Sequence, residues 1–253
     1  MAHKTLIDGT AYEIKGGRDL IGGTSYSKKN GKVLIDGTAY DIPFSKGIPL
    51  NTITPGAILM LNESGNPVQF YIAKHDYESG LNGAGRTLLV RKDCYDNLQW
   101  QKSNINAYAS SSIDSWLNGT YKNLLDADIR GVIGTAKIKY TPGNGNNTVG
   151  TLERAIFLLS ATELNRSASW FNVEGTALEI ASSLQIAYMN GSAVSQWTRS
   201  PSPDNAYYVV FLSTNGNVSR TVGGGAYGAR PAFTLPGTFA LVQNADGTYS
   251  IAA

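Results

Sequence analysis

The strongest constraint on the fold lies between Tyr207 and Leu212, where every residue is apolar or aromatic. Successive side chains of a β-strand point to opposite faces of a sheet, so this run carries an apolar set on each face. A sheet with one solvated face cannot bury both sets. Either both faces of the strand are covered, or one face stays open and binds another molecule.

A hairpin is predicted around the pair Asn215-Gly216, which favours a tight reversal with both central residues at positive φ. Residues 207–214 and 217–222 are then the two paired strands. We expect the set of side chains that begins with Tyr207 and Phe211 to face outward, because the loop residues before Tyr207 would share its side. The alternative is that Tyr207 and Phe211 are ordinary core residues.

The composition changes between Pro201 and Ala229, where Lys, Glu, Gln, Met and Trp are all missing. These are the amino acids that no codon ending in C encodes. An AAC codon randomised at its two adenines encodes all the others, so adenine-directed mutagenesis would leave this footprint. Chance is the alternative explanation in so short a window. The gap therefore hints that the stretch is diversified.

Residues 1–45 contain a repeat with a period of 14, whose copies begin at Leu6, Leu20 and Leu34. Each copy has an Asp-Gly or Gly-Gly pair between two short β-prone runs, which predicts a hairpin. Units this small cannot bury a face alone, so we expect them to stack on each other, on the main domain or on sister subunits. The region is interpreted as an attachment or oligomerisation element, a homotrimer being one arrangement; a flexible repetitive tail is the alternative.

Residues 46–253 are predicted to form a second domain of many short strands and one or two helices. One helix is predicted to begin at Ser112, as its cap, and to end near Leu125, and a second is predicted over residues 178–188. Strands are predicted at residues 57–61, 68–73, 86–91, 154–160, 239–243 and 248–252. This mixture is typical of an α+β fold.

Composition excludes several classes of site and partner. The single cysteine, Cys94, excludes an internal disulfide and a cysteine-based zinc site. The net charge is +2 and charged residues make up only 16% of the chain, so we expect no nucleic-acid partner. We expect no metal and no cofactor. We also expect no membrane insertion and no cleaved leader, because no apolar run has the required length.

Catalytic signals are weak throughout. His75 precedes Asp76, but adjacent strand residues point to opposite faces, so a hydrogen-bonded structural histidine is the better interpretation. No carboxylate pair stands out as a glycosidase site, which argues against an enzyme that cleaves cell-wall glycan. Arg199 and Arg230 are expected to tie loops together through their guanidinium groups. We therefore expect no enzymatic activity.

Four motifs occur in order and carry a resemblance to a known family. They are residues 112–119, 156–164, 197–201 and 228–233. Together they resemble C-type-lectin-like domains in tail proteins of phages and prophages of gut Firmicutes, over about residues 46–236. Some members of that wider group are variable proteins of diversity-generating retroelements. The N-terminal repeats also resemble those of phage minor tail proteins.

The resemblance implies a C-type-lectin-like fold with short mixed or antiparallel sheets, whose last strands present the ligand-binding face. It implies adhesion to a host surface, with the variable positions between Ser202 and Tyr227. The Glu-Pro-Asn and Trp-Asn-Asp motifs of calcium-dependent lectins are absent, which argues against calcium-mediated sugar binding. Formylglycine-generating enzymes share the broad fold but use cysteines, and the single Cys94 argues against that activity.

Tyr, Ser, Gly and Asn dominate this stretch, as they dominate antibody loops, because tyrosine offers a rigid contact with a polar tip. The predicted contact set is Ser202, Asp204, Asn205, Tyr207, Phe211, Ser213, Arg220, Val222 and Tyr227. The predicted partners are a host cell-surface protein or polysaccharide and other phage tail proteins, which places the chain in a virion tail or outside the cell. The alternative is a structural minor tail protein whose C-terminal face packs on another subunit.

Overall fold

A computed structural model describes the six strands of the N-terminal region, residues 47–103 and residues 105–252. The chain divides into two compact units, Met1–Lys46 and Gly47–Ala253. Each unit is described here by itself.

The N-terminal unit contains the three hairpins that the repeat predicts. Their strands are β1 (Lys4–Ile7), β2 (Thr10–Glu13), β3 (Arg18–Ile21), β4 (Thr24–Ser27), β5 (Lys32–Ile35) and β6 (Thr38–Asp41). Each odd-numbered strand pairs antiparallel with the strand that follows it. The turn pairs, such as Asp8-Gly9, lie outside the described residues. The prediction of paired strands is confirmed, and the attachment role stays a prediction.

The second unit combines mixed sheets with a few short helices, so the α+β class is confirmed. Its helices are α1 (Ser79–Asn82), α2 (Ser112–Asn118), α3 (Ala127–Val132) and α4 (Ala181–Leu184), with 3-10 turns at Leu50–Thr52, Tyr108–Ser110 and Tyr121–Leu124. Its strands are β7 (Ile48–Pro49), β8 (Ile58–Glu63), β9 (Asn66–Lys74), β10 (Arg86–Arg91), β11 (Asn97–Gln99), β12 (Ala136–Tyr140), β13 (Gly150–Arg154), β14 (Ile156–Phe157), β15 (Ala187–Met189), β16 (Ser192–Val194), β17 (Gln196–Pro201), β18 (Tyr208–Leu212), β19 (Val218–Val222), β20 (Ala226–Gly228), β21 (Ala232–Pro236), β22 (Ala240–Gln243) and β23 (Tyr249–Ile251). Within the described parts of the chain, no helix is long and apolar enough to cross a membrane.

An eight-stranded sheet supports most of the core, in the order β14-β21-β10-β9-β8-β23-β22-β7. Its central strands bury their apolar side chains, and the rings of Phe70 and Phe233 meet edge to face with centroids 5.4 Å apart. The predicted strands at 57–61 and 68–73 pair as β8 and β9, and in the turn between them Ser64 and Gly65 both adopt positive φ, as a two-residue hairpin turn requires. The predicted strands at 239–243 and 248–252 are present as β22 and β23, which pair antiparallel as a hairpin.

A five-stranded sheet carries the C-terminal stretch, in the order β11-β20-β17-β18-β19. The predicted hairpin is confirmed as β18 and β19, which pair from Tyr208 opposite Val222 to Leu212 opposite Val218. The predicted turn type is wrong, because only Gly216 of the central pair has positive φ, at 77°. Gly216 N donates to Ser213 O and Ser213 N donates to Asn217 O, both at 2.8 Å. A longer loop with one left-handed glycine therefore closes the hairpin.

Both predicted helices are shorter than expected. Helix α2 ends at Asn118 because Gly119 breaks it, and Tyr121–Leu124 forms a separate 3-10 turn. Its cap is Ser111 rather than Ser112, since the Ser111 side chain accepts from the backbone N–H of Asp114 at 3.1 Å. Residues 178–188 form only the single turn α4 before β15 begins.

The predicted strand over residues 154–160 is likewise divided. Arg154 ends β13, and Ile156–Phe157 forms the short strand β14. Leu158, Leu159 and Ser160 continue as buried chain beyond it. Their burial explains why the run is so apolar although only part of it pairs in a sheet.

Candidate functional site

Two buried segments frame the C-terminal stretch. Every residue from Gln196 to Ser202 is buried, and so is every residue from Gly228 to Leu235. Most residues between these segments are exposed or half-buried, and the exceptions are Val209, Val210, Leu212, Gly216 and Gly223. Between Ser202 and Gly228 the chain therefore runs mostly at the surface, and the middle of β18 is the main part that reaches the core. We call the segments 196–202 and 228–235 the frame.

Arg199 anchors the first frame segment. Its guanidinium is fully buried and donates to Lys139 O and Leu158 O at 2.9 Å and to a carboxylate oxygen of Glu163 at 2.6 Å. Burial lowers the pKa of Arg199, but the adjacent Glu163 carboxylate and the nearby Tyr77 more than offset this, so its pKa lies above the usual value. Arg199 is thus the structural tie that the sequence predicts.

A second buried carboxylate completes this polar network. Glu174 accepts hydrogen bonds from the Ser200 hydroxyl and from the backbone N–H of Thr141. Burial raises the pKa of Glu174, although Arg199 and these hydrogen bonds act to lower it. The network fixes β17 against β12 and the loop that contains Glu174, because the two buried carboxylates and the Ser200 hydroxyl each have a specific partner.

Arg230 anchors the second frame segment in the same way. It donates to Arg91 O and Leu184 O at 2.8 Å, and also to Lys92 O. Burial lowers the pKa of this guanidinium. The interpretation of both arginines as structural residues is confirmed by their contacts.

An ion pair dominates the surface between the frame segments. Arg220 on β19 lies within 2.5 and 2.6 Å of the two carboxylate oxygens of Asp204. The Arg220 guanidinium lies 5.1 Å from the centre of the Trp170 ring and 5.6 Å from that of Tyr208. Hydrogen bonding to Arg220 lowers the pKa of Asp204. The Arg220 guanidinium is thereby held between the rings of Trp170 and Tyr208 at the protein surface.

Loops from distant parts of the chain extend this surface. Asn147 Nδ2 donates to Pro203 O at 2.9 Å, and Asn172 Nδ2 donates to Asn147 O at 2.8 Å. Val173, in the same loop as Trp170, is 73% exposed. Sequence reasoning missed Trp170, Asn147 and Asn172, because contacts between residues so far apart leave no local pattern. The Trp170-Phe171 pair between polar residues was the one available signal.

The outward orientation predicted for the Tyr207 and Phe211 set is wrong in the middle of the strand. Val209 and Val210 are both fully buried, so both faces of β18 are covered at its centre. Phe211 is half-buried and lies 4.6 Å from the Tyr227 ring, which itself lies 4.6 Å from the Trp197 ring. Within β18, only Tyr208 and Phe211 are partly open to solvent.

The predicted contact residues therefore fall into three groups. Asp204, Tyr207 and Val222 are exposed, and Asn205, Phe211, Ser213, Arg220 and Tyr227 are half-buried. Ser202 is 1% exposed, which corrects its assignment as a contact residue. Its hydroxyl oxygen accepts a hydrogen bond from Arg220 Nη1 at 2.7 Å. The buried Ser202 therefore helps to position Arg220 for its ion pair with Asp204.

Two of the half-buried residues shape loops through their own side chains. Asn205 Oδ1 accepts from the backbone N–H of Tyr207 at 2.8 Å, and Ser213 Oγ donates to Asn217 O at 2.9 Å. Six exposed or half-buried residues on or beside the hairpin form a surface that we call the hairpin surface. They are Trp170, Asp204, Tyr207, Tyr208, Arg220 and Val222.

Outside this region, His75 has a structural environment. Its Nδ1 lies 2.9 Å from Thr87 Oγ1, and its Nε2 lies 2.8 Å from Ile53 O. Both ring nitrogens are thus engaged within the domain, as the sequence interpretation expects. Among the described residues, no three His, Cys, Asp or Glu side chains gather in a group that could hold a metal ion.

The comparisons with known proteins give one match. A family model described as a domain of unknown function, DUF6273, matches residues 84–237, more than half of the chain. The matched segment runs from just before β10 to the end of β21, so it contains the frame and the hairpin surface. Neither the curated proteins nor the solved structures gave a match.

Proposed function

We propose a binding function for this chain, which belongs to the DUF6273 family. It is a non-enzymatic receptor-binding protein of a phage or prophage tail, and its hairpin surface contacts a protein or polysaccharide on the host cell. The observation that carries the proposal is the separation between the buried frame and the exposed stretch that it holds. Substitutions on such a stretch leave the core contacts intact, so binding can change without loss of folding.

The chemistry of the hairpin surface suits recognition of another molecule. Trp170, Tyr207 and Tyr208 offer large rigid contacts with polar tips, and aromatic residues and arginine dominate the energetics of binding surfaces. Arg220 is held in place by Asp204 and by two rings, so its remaining N–H groups are oriented before a ligand arrives. Such preorganisation lowers the entropic cost of binding.

The finer assignment, a C-type-lectin-like variable protein of a diversity-generating retroelement, rests on the resemblance and on one compositional feature. Lys, Glu, Gln, Met and Trp are all missing between Ser202 and Gly228, and the gap extends on both sides, from Thr198 to Val242. Adenine-directed mutagenesis of the exposed stretch would leave such a gap there. The N-terminal hairpins, in this proposal, attach the domain to other tail proteins.

Binding to cells of gut Firmicutes tests the proposal. Tyr207 is 53% exposed, so we expect Tyr207→Ala to weaken cell binding at least tenfold while the Tm of the protein stays within about 2 °C. Tyr188→Ala is the matched control, since Tyr188 is 45% exposed but lies outside the stretch. It is expected to change neither quantity. Equal binding by the Tyr207→Ala variant and the wild type would refute the assignment of the surface.

A structural minor tail protein is the second candidate, and the edge of the five-stranded sheet favours it. Within the described residues, β19 pairs only with β18, so its outer edge is free to pair with a neighbouring subunit. Sequencing the gene from many sibling isolates separates the two functions. Substitutions concentrated at adenines in codons 202–229 support the receptor-binding function, and an invariant stretch supports the structural one.

A further inference from the structure

An open groove of about 620 Å³ lies between edge strand β11 and helix α2. Asn97 and Gln99 line it on the strand side, and Ser112, Ser115 and Trp116 line it on the helix side. Its volume falls in the range typical of small-molecule sites, about 300–1,000 Å³. The groove is separate from the hairpin surface and shares no residue with it.

The tryptophan in the groove is held rigidly from behind. The Trp116 ring centre lies 5.1 Å from that of Tyr95 and 5.4 Å from that of Tyr121, which is itself fully buried. Trp116 remains half-buried rather than buried, so part of its surface is open to the groove. A fixed indole presents a flat apolar platform whose face carries partial negative charge.

The polar groups around this platform can both donate and accept hydrogen bonds. Gln99 Nε2 donates to Gly224 O at 3.1 Å, which leaves its amide oxygen as an acceptor. The Ser115 hydroxyl donates to Ser111 O at 3.0 Å, which leaves its oxygen lone pairs available. The Asn97 amide adds donors, and Lys102 is the single charged residue among those that line the groove.

This combination excludes most ligand classes. A single lysine is a poor counterpart for a multiply charged phosphate, and a groove lined by no carboxylate offers no anionic ligand for a metal cation. A purely apolar ligand would strip water from the amides and hydroxyls without replacing their hydrogen bonds. The ligand that fits has one flat face of C–H groups and a rim of hydroxyls, which is the chemistry of a sugar ring.

We infer that this groove binds a neutral hexopyranose, with one face of the ring stacked on Trp116 and its hydroxyls bonded to Gln99 and Ser115. This site goes beyond the proposed function and does not depend on it, because the hairpin surface contributes no residue. Ala226 links the two regions, since it lies opposite Gln99 in the sheet and belongs to the variable-looking stretch. The residue at this position therefore controls the width of the groove.

Titration of the full chain with methyl glucoside, methyl galactoside and N-acetylglucosamine tests the inference, with backbone and indole N–H NMR shifts as the readout. We expect at least one sugar to give saturable shifts at Trp116, Leu98 and Gln99, with a Kd in the millimolar range. Trp116→Ala is expected to weaken binding at least tenfold, and Trp116→Phe is expected to retain it within a few-fold because an aromatic platform remains.

Ala226→Tyr keeps the inference testable if Trp116→Ala disturbs folding. Ala226 is exposed, so the larger side chain fills the groove without entering the core, and we expect it to abolish the shifts. Tyr188→Ala, outside the groove, is expected to leave them unchanged. Absence of saturable shifts for all three sugars, or equal binding of N-acetyl-leucine amide, would overturn the inference. The Tyr207→Ala cell-binding result is independent of either outcome.

Discussion

Replacing Arg199 by methionine tests whether the frame depends on its buried arginine. The variant keeps an unbranched chain of similar length but removes the guanidinium, which donates to two carbonyl oxygens and to Glu163. Glu163 is fully buried and also accepts from the Tyr77 hydroxyl at 2.5 Å and from Ser160 N at 2.8 Å. The substitution therefore leaves a carboxylate in the core without its cation.

The expected loss follows from that unpaired charge. Removing one partner of a buried ion pair typically costs about 3–5 kcal/mol. For a domain of this size, each kcal/mol lowers the Tm by about 2–4 °C, so we expect a decrease of about 6–20 °C. Adding Glu163→Gln to the variant removes the unpaired charge and is expected to restore part of the loss. The coupling between the two sites is measurable in a double-mutant cycle.

Urea denaturation and thermal unfolding by circular dichroism measure these changes. Arg130→Met is the matched control, since Arg130 is half-buried and bonds the carbonyls of Asn123 and Leu125 at a surface turn. It is expected to cost about 1 kcal/mol or less. If Arg199→Met cost no more than Arg130→Met, the assignment of Arg199 as the anchor of the frame would be wrong.

Two further predictions concern the core around the site. Burial raises the pKa of Asp114 to about 6, although its ion pair with Arg154 acts to lower it. The folded state then holds this proton more tightly, so the stability that Asp114 contributes is complete below about pH 4 and is lost as the pH rises through 6. Urea denaturation between pH 4 and 7 is expected to show this fall in the wild type and not in Asp114→Asn; parallel profiles would contradict it. A methyl group at Gly228 would clash with Cys94 Sγ, so Gly228→Ala is expected to lose about 1–3 kcal/mol and to regain part of it when Cys94→Ala is added. A Gly228→Ala variant with wild-type Tm would refute this packing argument.

Local turn signals account for the parts of the fold that were predicted well. Ser64-Gly65 and the Asp246-Gly247 pair each close a hairpin where the sequence places one. The same signal at Asn190-Gly191, where both residues adopt positive φ, was overlooked because residues 178–188 have apolar positions at helical spacing. The turn at Asn190-Gly191 forms in place of the last part of the predicted helix, since it lets Ala187 pair with Val194 in β15 and β16.

The candidate site was predictable only where it is local in sequence. The hairpin and its exposed ends follow from the pattern around Tyr207 and Asn215, but the burial of both faces at Val209 and Val210 depends on packing partners from elsewhere. Val210 packs in a small cluster with Ala161 and Phe171. The place of Trp170 beside Arg220 has the same origin, because loops distant in sequence meet only after the sheet has formed.

A substitution scan of residues 196–235, sorted separately for folding and for binding to host cells, tests the central claim most directly. We expect substitutions at buried frame positions, such as Arg199 and Arg230, to destabilise the fold strongly. Those at exposed positions, such as Tyr207 and Val222, are expected to preserve folding and to change binding. A scan in which exposed positions between the frame segments leave binding unaffected, or in which frame positions tolerate substitution freely, would contradict the account.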